Sequence, residues 1–156
     1  MSTRCLIGIE NPDGTCRAVY CHHDGYPTGV GLILASYYPK KQDVENLIAL
    51  GDMSGIGTTL EICDAYCRDW GEEYEKNAPW TYRNRKEYFN DAYERDTEYC
   101  YLFCRGTWIY ADTCKWGYDH DWRRADVKEL SGQKIALFDA YNNERLRKLR
   151  EACYNA

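Results

Sequence analysis

The sequence lacks any apolar run approaching the roughly 20 residues a helix needs to span a bilayer, and Met1 to Glu10 lacks the basic-then-apolar plan of a secretory leader. The expectation is a cytoplasmic protein with no membrane partner. An excess of basic residues is missing as well, since 20 Lys and Arg stand against 25 Asp and Glu. Phosphate backbones are gripped by clustered cations, so direct nucleic-acid binding is not expected. Also absent are Gly-x-Ser-x-Gly, a phosphate loop and a dinucleotide glycine pattern; Gly29-Val30-Gly31 lacks the third glycine of the last. No residue is nominated as catalytic, and the chain reads as a binder and not an enzyme.

Phenylalanine is scarce, at 3 residues, but 15 Tyr and 5 Trp supply large apolar bodies with polar tips, which suit both cores and interfaces. A length of 156 residues fits one domain with a sizeable core. The nine cysteines are odd in number and no leader precedes them, so reduced thiols are expected. Cys63-x-x-x-Cys67 and Cys100-x-x-x-Cys104 have no second knuckle to complete a zinc site. Adjacent His22 and His23 on extended backbone point to opposite faces, which one metal centre rarely accepts. No metal or cofactor is expected.

Along the chain, Cys5, Ile7 and Ile9 alternate with Leu6 and Gly8, and Val19 and Cys21 with Ala18 and Tyr20, the period of strands. Asn11-Pro12-Asp13-Gly14 between them has the residues of a tight turn. The spacing predicts a helix over Gly29 to Tyr38, stopped by Pro39, and another over Asp43 to Leu50 with Val44, Leu47 and Ile48 inward. A Thr58-x-x-Glu61 capping box predicts a third, with Ile62, Cys63, Tyr66, Cys67 and Trp70 as its buried stripe. Glu87 to Arg95 reads as an exposed helix. Tyr99 to Cys104 and Trp108 to Ala111 read as a hairpin across Arg105-Gly106. Ile135, Phe138, Leu146, Leu149 and Cys153 fit a helical tail. The sum is a single α+β domain over 1–156, with a small antiparallel sheet of about four strands and helices packed mainly on one face.

Two constellations stand out. Tyr20-Cys21-His22-His23-Asp24-Gly25-Tyr26-Pro27 joins a strand to a helix, where exposed amides favour an anionic group. His22, His23 and Asp24 are candidate ligand contacts; the plainer reading is that Asp24 orders the turn and the histidines bond locally. The second is the acidic, aromatic stretch from Asp64 to Tyr101. Its carboxylates suit a basic groove on a partner, with aromatic side chains as anchors. Asp69, Glu72, Glu73, Trp80, Asp91 and Glu94 are the candidate partner contacts. Interleaved Arg68, Arg83, Arg85 and Lys86 dilute the charge, and a solvated helix face is the plainer reading.

Ser2-Thr3-Arg4, Ile7-Gly8-Ile9, Asp13-Gly14-Thr15, Tyr20-Cys21-His22-x-Asp24-Gly25-Tyr26-Pro27, Gly29-Val30-Gly31 and Leu47-Ile48-Ala49-Leu50-Gly51-Asp52 together resemble small, mostly uncharacterised accessory proteins of tailed phages and integrative mobile elements. The resemblance covers residues 1–57, with a weaker echo at Tyr99-x-Tyr101-Leu102-Phe103 and Trp108. Many such proteins have an aromatic residue where this chain has His23. The resemblance implies a mobile-element context in a bacterial host and an anti-defence role. Its first form is an anti-CRISPR-like inhibitor that binds a host defence protein, such as a CRISPR nuclease. Its second is a sponge for a nucleotide immune signal, held by Arg4, His22 and Tyr26 around the turn to Gly31. An enzyme using a His or Cys is a third class. Self-association as a homo-oligomer stays open beside all three.

Overall fold

The computed structural model describes residues 2–113 and 127–130; the expected helical tail from Ile135 to Cys153 lies outside them. The first two strands, β1 (Cys5–Glu10) and β2 (Cys16–Cys21), pair antiparallel with Ile7 opposite Val19. Their turn closes through Gly14 N to Asn11 O (3.0 Å), while the Asp13 carboxylate accepts from Thr15 N and Oγ1 at 3.0 and 2.6 Å. A π-helical turn over Pro27–Gly31 runs into α1 (Leu32–Tyr37), and α2 (Lys41–Ala49) follows.

The rest of the sheet corrects the expectation of about four antiparallel strands. Among the described residues eight strands form one mixed sheet, adding β3 (Met53–Gly55), β4 (Asp64–Ala65), β5 (Trp80–Tyr82), β6 (Tyr99–Cys104), β7 (Thr107–Asp112) and β8 (Val127–Glu129). The order is β4-β3-β2-β1-β6-β7-β8, with β5 also on β2. β1 pairs parallel with β6, Cys5 opposite Tyr99 and Ile9 opposite Phe103, which places β1 among the central strands. Strands buried on both faces need not alternate apolar with polar residues, and Leu6, Ile7 and Ile9 are all buried.

Helices cover both faces, a second correction. Cys5, Ile7, Ile9, Val19 and Cys21 join Leu34, Val44, Leu47 and Ile48 of α1 and α2 in one core cluster. On the other face Leu6, Ala18, Cys100 and Leu102 meet Tyr88, Phe89 and Ala92 of α5 (Arg85–Glu94). The helix expected to be exposed over Glu87 to Arg95 therefore buries one side, Tyr88, Phe89 and Ala92, against the sheet, and is started by the Asn84 side chain accepting from Glu87 N at 3.0 Å.

The capped helix from Thr58 does not form. Ala65 is extended and pairs with Met53 in the β3–β4 ladder. Helix resumes only in α3 (Tyr66–Trp70) and α4 (Tyr74–Asn77). Carbonyls that a helix would have used are taken by Arg68 instead: its guanidinium donates to Leu60 O (2.8 Å), Glu61 O (3.4 Å) and Cys63 O (2.6 Å).

Candidate recognition surfaces

At the strand-to-helix junction the polar side chains mostly bond to one another. Tyr20 Oη lies 2.7 Å from His22 Nδ1, and Ser2 Oγ lies 3.2 Å from His23 Nδ1. The Tyr26 hydroxyl donates to Asp24 Oδ1 at 3.1 Å. The two imidazoles meet edge to face, 4.6 Å between centroids. Asp24 takes a left-handed backbone, φ 58°, and its carbonyl accepts from Val30 N, starting the π-helical turn. Pro27 opens that turn, where its missing N–H costs nothing.

The junction's glycines have packing reasons. A Cβ on Gly25 would lie 2.8 Å from Thr3 O, and one on Gly29 only 2.4 Å from Asp24 O. The buried Tyr101 hydroxyl donates to Gly25 O at 2.7 Å and ties the junction to β6. Much of the Asp24-Gly25-Tyr26-Pro27 pattern is thus accounted for by the fold.

Arg4 stands apart from the histidines in its contacts. Its amide donates to Glu98 Oε2 at 2.6 Å and its guanidinium lies 3.8 Å from the same carboxylate. Its Nε is buried without a hydrogen-bond partner. With Tyr93, Glu94, Asp96, Thr97, Glu98 and Thr113 it lines a cavity of about 530 Å³, where three carboxylates stand against the one guanidinium. Burial pushes the nearby Tyr20 phenol up to about 12.

The acidic, aromatic segment is displayed differently from expectation. Ile62 and Trp70, expected in a buried stripe, are 64% and 58% exposed; Tyr74 is 48% and Trp80 53% exposed. Trp70 packs edge-on against Tyr66 and donates from Nε1 to Asp64 Oδ1 at 2.8 Å. Asp69 accepts from Ala65 N and pairs with Arg68, which holds its carboxyl below the usual range. Glu72 and Glu73 are exposed on the link to α4. The other candidates are engaged elsewhere. Asp91 receives the Tyr82 hydroxyl and the Arg95 guanidinium, Glu94 belongs to the Arg4 cavity, and the Trp80 ring carries Arg95 at 4.4 Å. Sequence reasoning missed Ile62, Trp70 and Tyr74; the available signal was the Gly71-Glu72-Glu73 break beside Trp70.

The seven described cysteines are free, while Cys114 and Cys153 lie outside the described residues. Burial pushes the thiols of Cys5, Cys63, Cys100 and Cys104 up, and that of Cys16 to about 12, which disfavours the nucleophilic thiolate. Among the described residues no group of three or more His, Cys, Asp or Glu is placed to hold a metal ion, and no helix is long and apolar enough to cross a membrane. Compared with protein-family models, curated proteins and solved structures, the chain matches none.

Proposed function

We propose that this chain is a protein-binding inhibitor that neutralises a component of bacterial immunity, docking the segment from Leu60 to Trp80 into a basic groove of a defence effector. The observation that carries this reading is the exposure of Ile62, Trp70 and Tyr74 beside Asp69, Glu72 and Glu73. Large aromatic side chains left in water with a charged rim are the composition of an interface hot spot. A carboxylate rim selects a cationic partner and speeds encounter with it. Arg68 holds three carbonyls of this segment in place, which limits the ordering cost of binding. The resemblance of the N-terminal segment to phage and mobile-element accessory proteins supplies the class of target.

The test is phage escape from host defence, scored together with recovery of the effector on the tagged chain. Trp70→Ala with Tyr74→Ala, and separately Glu72→Lys with Glu73→Lys, should abolish both while leaving the thermal midpoint near the parent's. Each aromatic truncation should cost about 2 kcal/mol of binding, roughly thirtyfold in affinity. Protection undiminished in both variants would refute the surface.

A further inference from the structure

A second cavity, of about 750 Å³, opens at the end of β1 opposite the His22 junction, between the β1–β2 turn, the β6–β7 turn and the start of α2. Its size falls within the range of small-molecule sites. Lys40, Lys41 and Arg105 stand in its wall, with Pro12, Pro39 and the buried ring of Phe103 as apolar lining.

The cations of this cavity differ from the others. Over residues 2–113, Arg4, Arg17, Arg68, Lys76, Arg83, Arg85 and Arg95 are each paired with a carboxylate. Lys40, Lys41, Lys86 and Arg105 have neither a salt bridge nor a side-chain hydrogen bond among the described residues. Three of these four line one cavity. The chain spends its carboxylates on nearly every other described cation and leaves this group uncompensated.

Two carboxylates share the wall. Glu10 is held by Arg85 through both oxygens, at 2.7 and 3.2 Å, and its charge is balanced there. Asp13 bonds to Thr15. Three cations against Asp13 alone leave a net of two positive charges. α2 begins in the same wall without a side-chain cap at Lys40, and Asp43 in its first turn offsets part of the field of its first amides, so the three cations carry the attraction for an anion. The Pro12 and Pro39 rings offer apolar surface beside the charge, and Phe103, 4% exposed, closes the floor.

We propose that this cavity binds a nucleoside phosphate, its phosphates between Lys40, Lys41 and Arg105 and its heterocycle against Pro12 and Pro39. The inference stands independently of the protein-docking surface, which lies on other elements.

Isothermal titration of the full chain with the four ribonucleoside triphosphates, pyrophosphate and adenosine tests it. At least one triphosphate should bind more tightly than pyrophosphate, and adenosine should not bind. Lys40→Ala with Lys41→Ala should weaken that triphosphate by about tenfold or more, as loss of charge-assisted phosphate contacts does. Arg105→Asn should act in the same direction while keeping the turn, because Asn tolerates the positive φ of this position. Lys86→Ala and Trp70→Ala should bind as the parent does. Absence of triphosphate binding, undiminished binding in both cavity variants, a pyrophosphate affinity equal to that of every triphosphate, or binding of RNA oligomers alone would each overturn the assignment.

Discussion

The ring of Tyr88 lies over Gly8, where a methyl group on the glycine would come within 3.0 Å of Cζ, 3.1 Å of the hydroxyl and 3.2 Å of Arg17 O. Tyr88 is fully buried, and its hydroxyl donates to Tyr101 O across the sheet. The absence of a side chain at Gly8 thus sets how closely α5 seats on β1. Gly8→Ala should destabilise the fold by about 1–3 kcal/mol through overpacking. Tyr88→Phe, which loses only the hydrogen bond, should cost about 1 kcal/mol. Urea unfolding of the two variants checks the ranking; a Gly8→Ala protein as stable as its parent would mean that α5 seats farther out.

At the junction, the backbone and the side chain of Asp24 can be separated. Asp24→Gly relieves the left-handed strain and should leave stability equal to the parent's or up to about 1 kcal/mol higher. Gly29→Ala drives a methyl group into Asp24 O and disrupts the Val30 amide bond, which should cost about 2 kcal/mol or more. Thermal melts establish both. An Asp24→Gly protein that keeps its midpoint but loses the activity proposed for the parent would give the carboxylate a contact role beyond the turn.

Burial holds the Asp52 carboxyl above its ordinary value, although Oδ1 accepts from Tyr20 N at 2.9 Å. A carboxyl raised on folding favours the fold while protonated, below about pH 4, and that contribution is lost as pH climbs through the folded value. Asp52→Asn keeps an oxygen for Tyr20 and removes the charge. It should melt higher than the parent at pH 7, with the gap closing near about pH 3. A midpoint difference independent of pH would show that the ionised form bears no burial cost.

What was legible in the sequence was local. Asn11-Pro12-Asp13-Gly14 and Arg105-Gly106 carry their turn geometry in a few adjacent residues, and both hairpins form, the first with strands marked by alternation and the second with runs marked by aromatic and β-propensity residues. The parallel union of β1 with β6 depends on residues far apart in the chain, and no local pattern encodes it. The charged setting of Tyr88, Phe89 and Ala92 concealed a helix whose inner side is apolar. Thr58 and Glu61 carried a valid capping signal that was overridden when Ala65 joined Met53 and Arg68 captured the loop carbonyls. At the candidate sites, the junction could be placed but its self-bonded state could not. Lys40, Lys41 and Arg105 went unnoticed because their convergence belongs to the tertiary fold.

The outer border of β2 is stitched by two separate short strands: β3 meets Cys21 in parallel, β5 meets Cys16 to Ala18 antiparallel, and the Asp52 carboxylate takes the Tyr20 amide. The segment from Ile56 to Pro79 consequently has both roots sewn to one seam, while Cys63 and Ala65 within it are buried and Gly57 O accepts from the Tyr38 hydroxyl. Its exposed positions, Ile62, Trp70 and Tyr74, can change with the central β1–β6 pairing left intact. Outward-facing residues there are thereby free to vary on a constant frame.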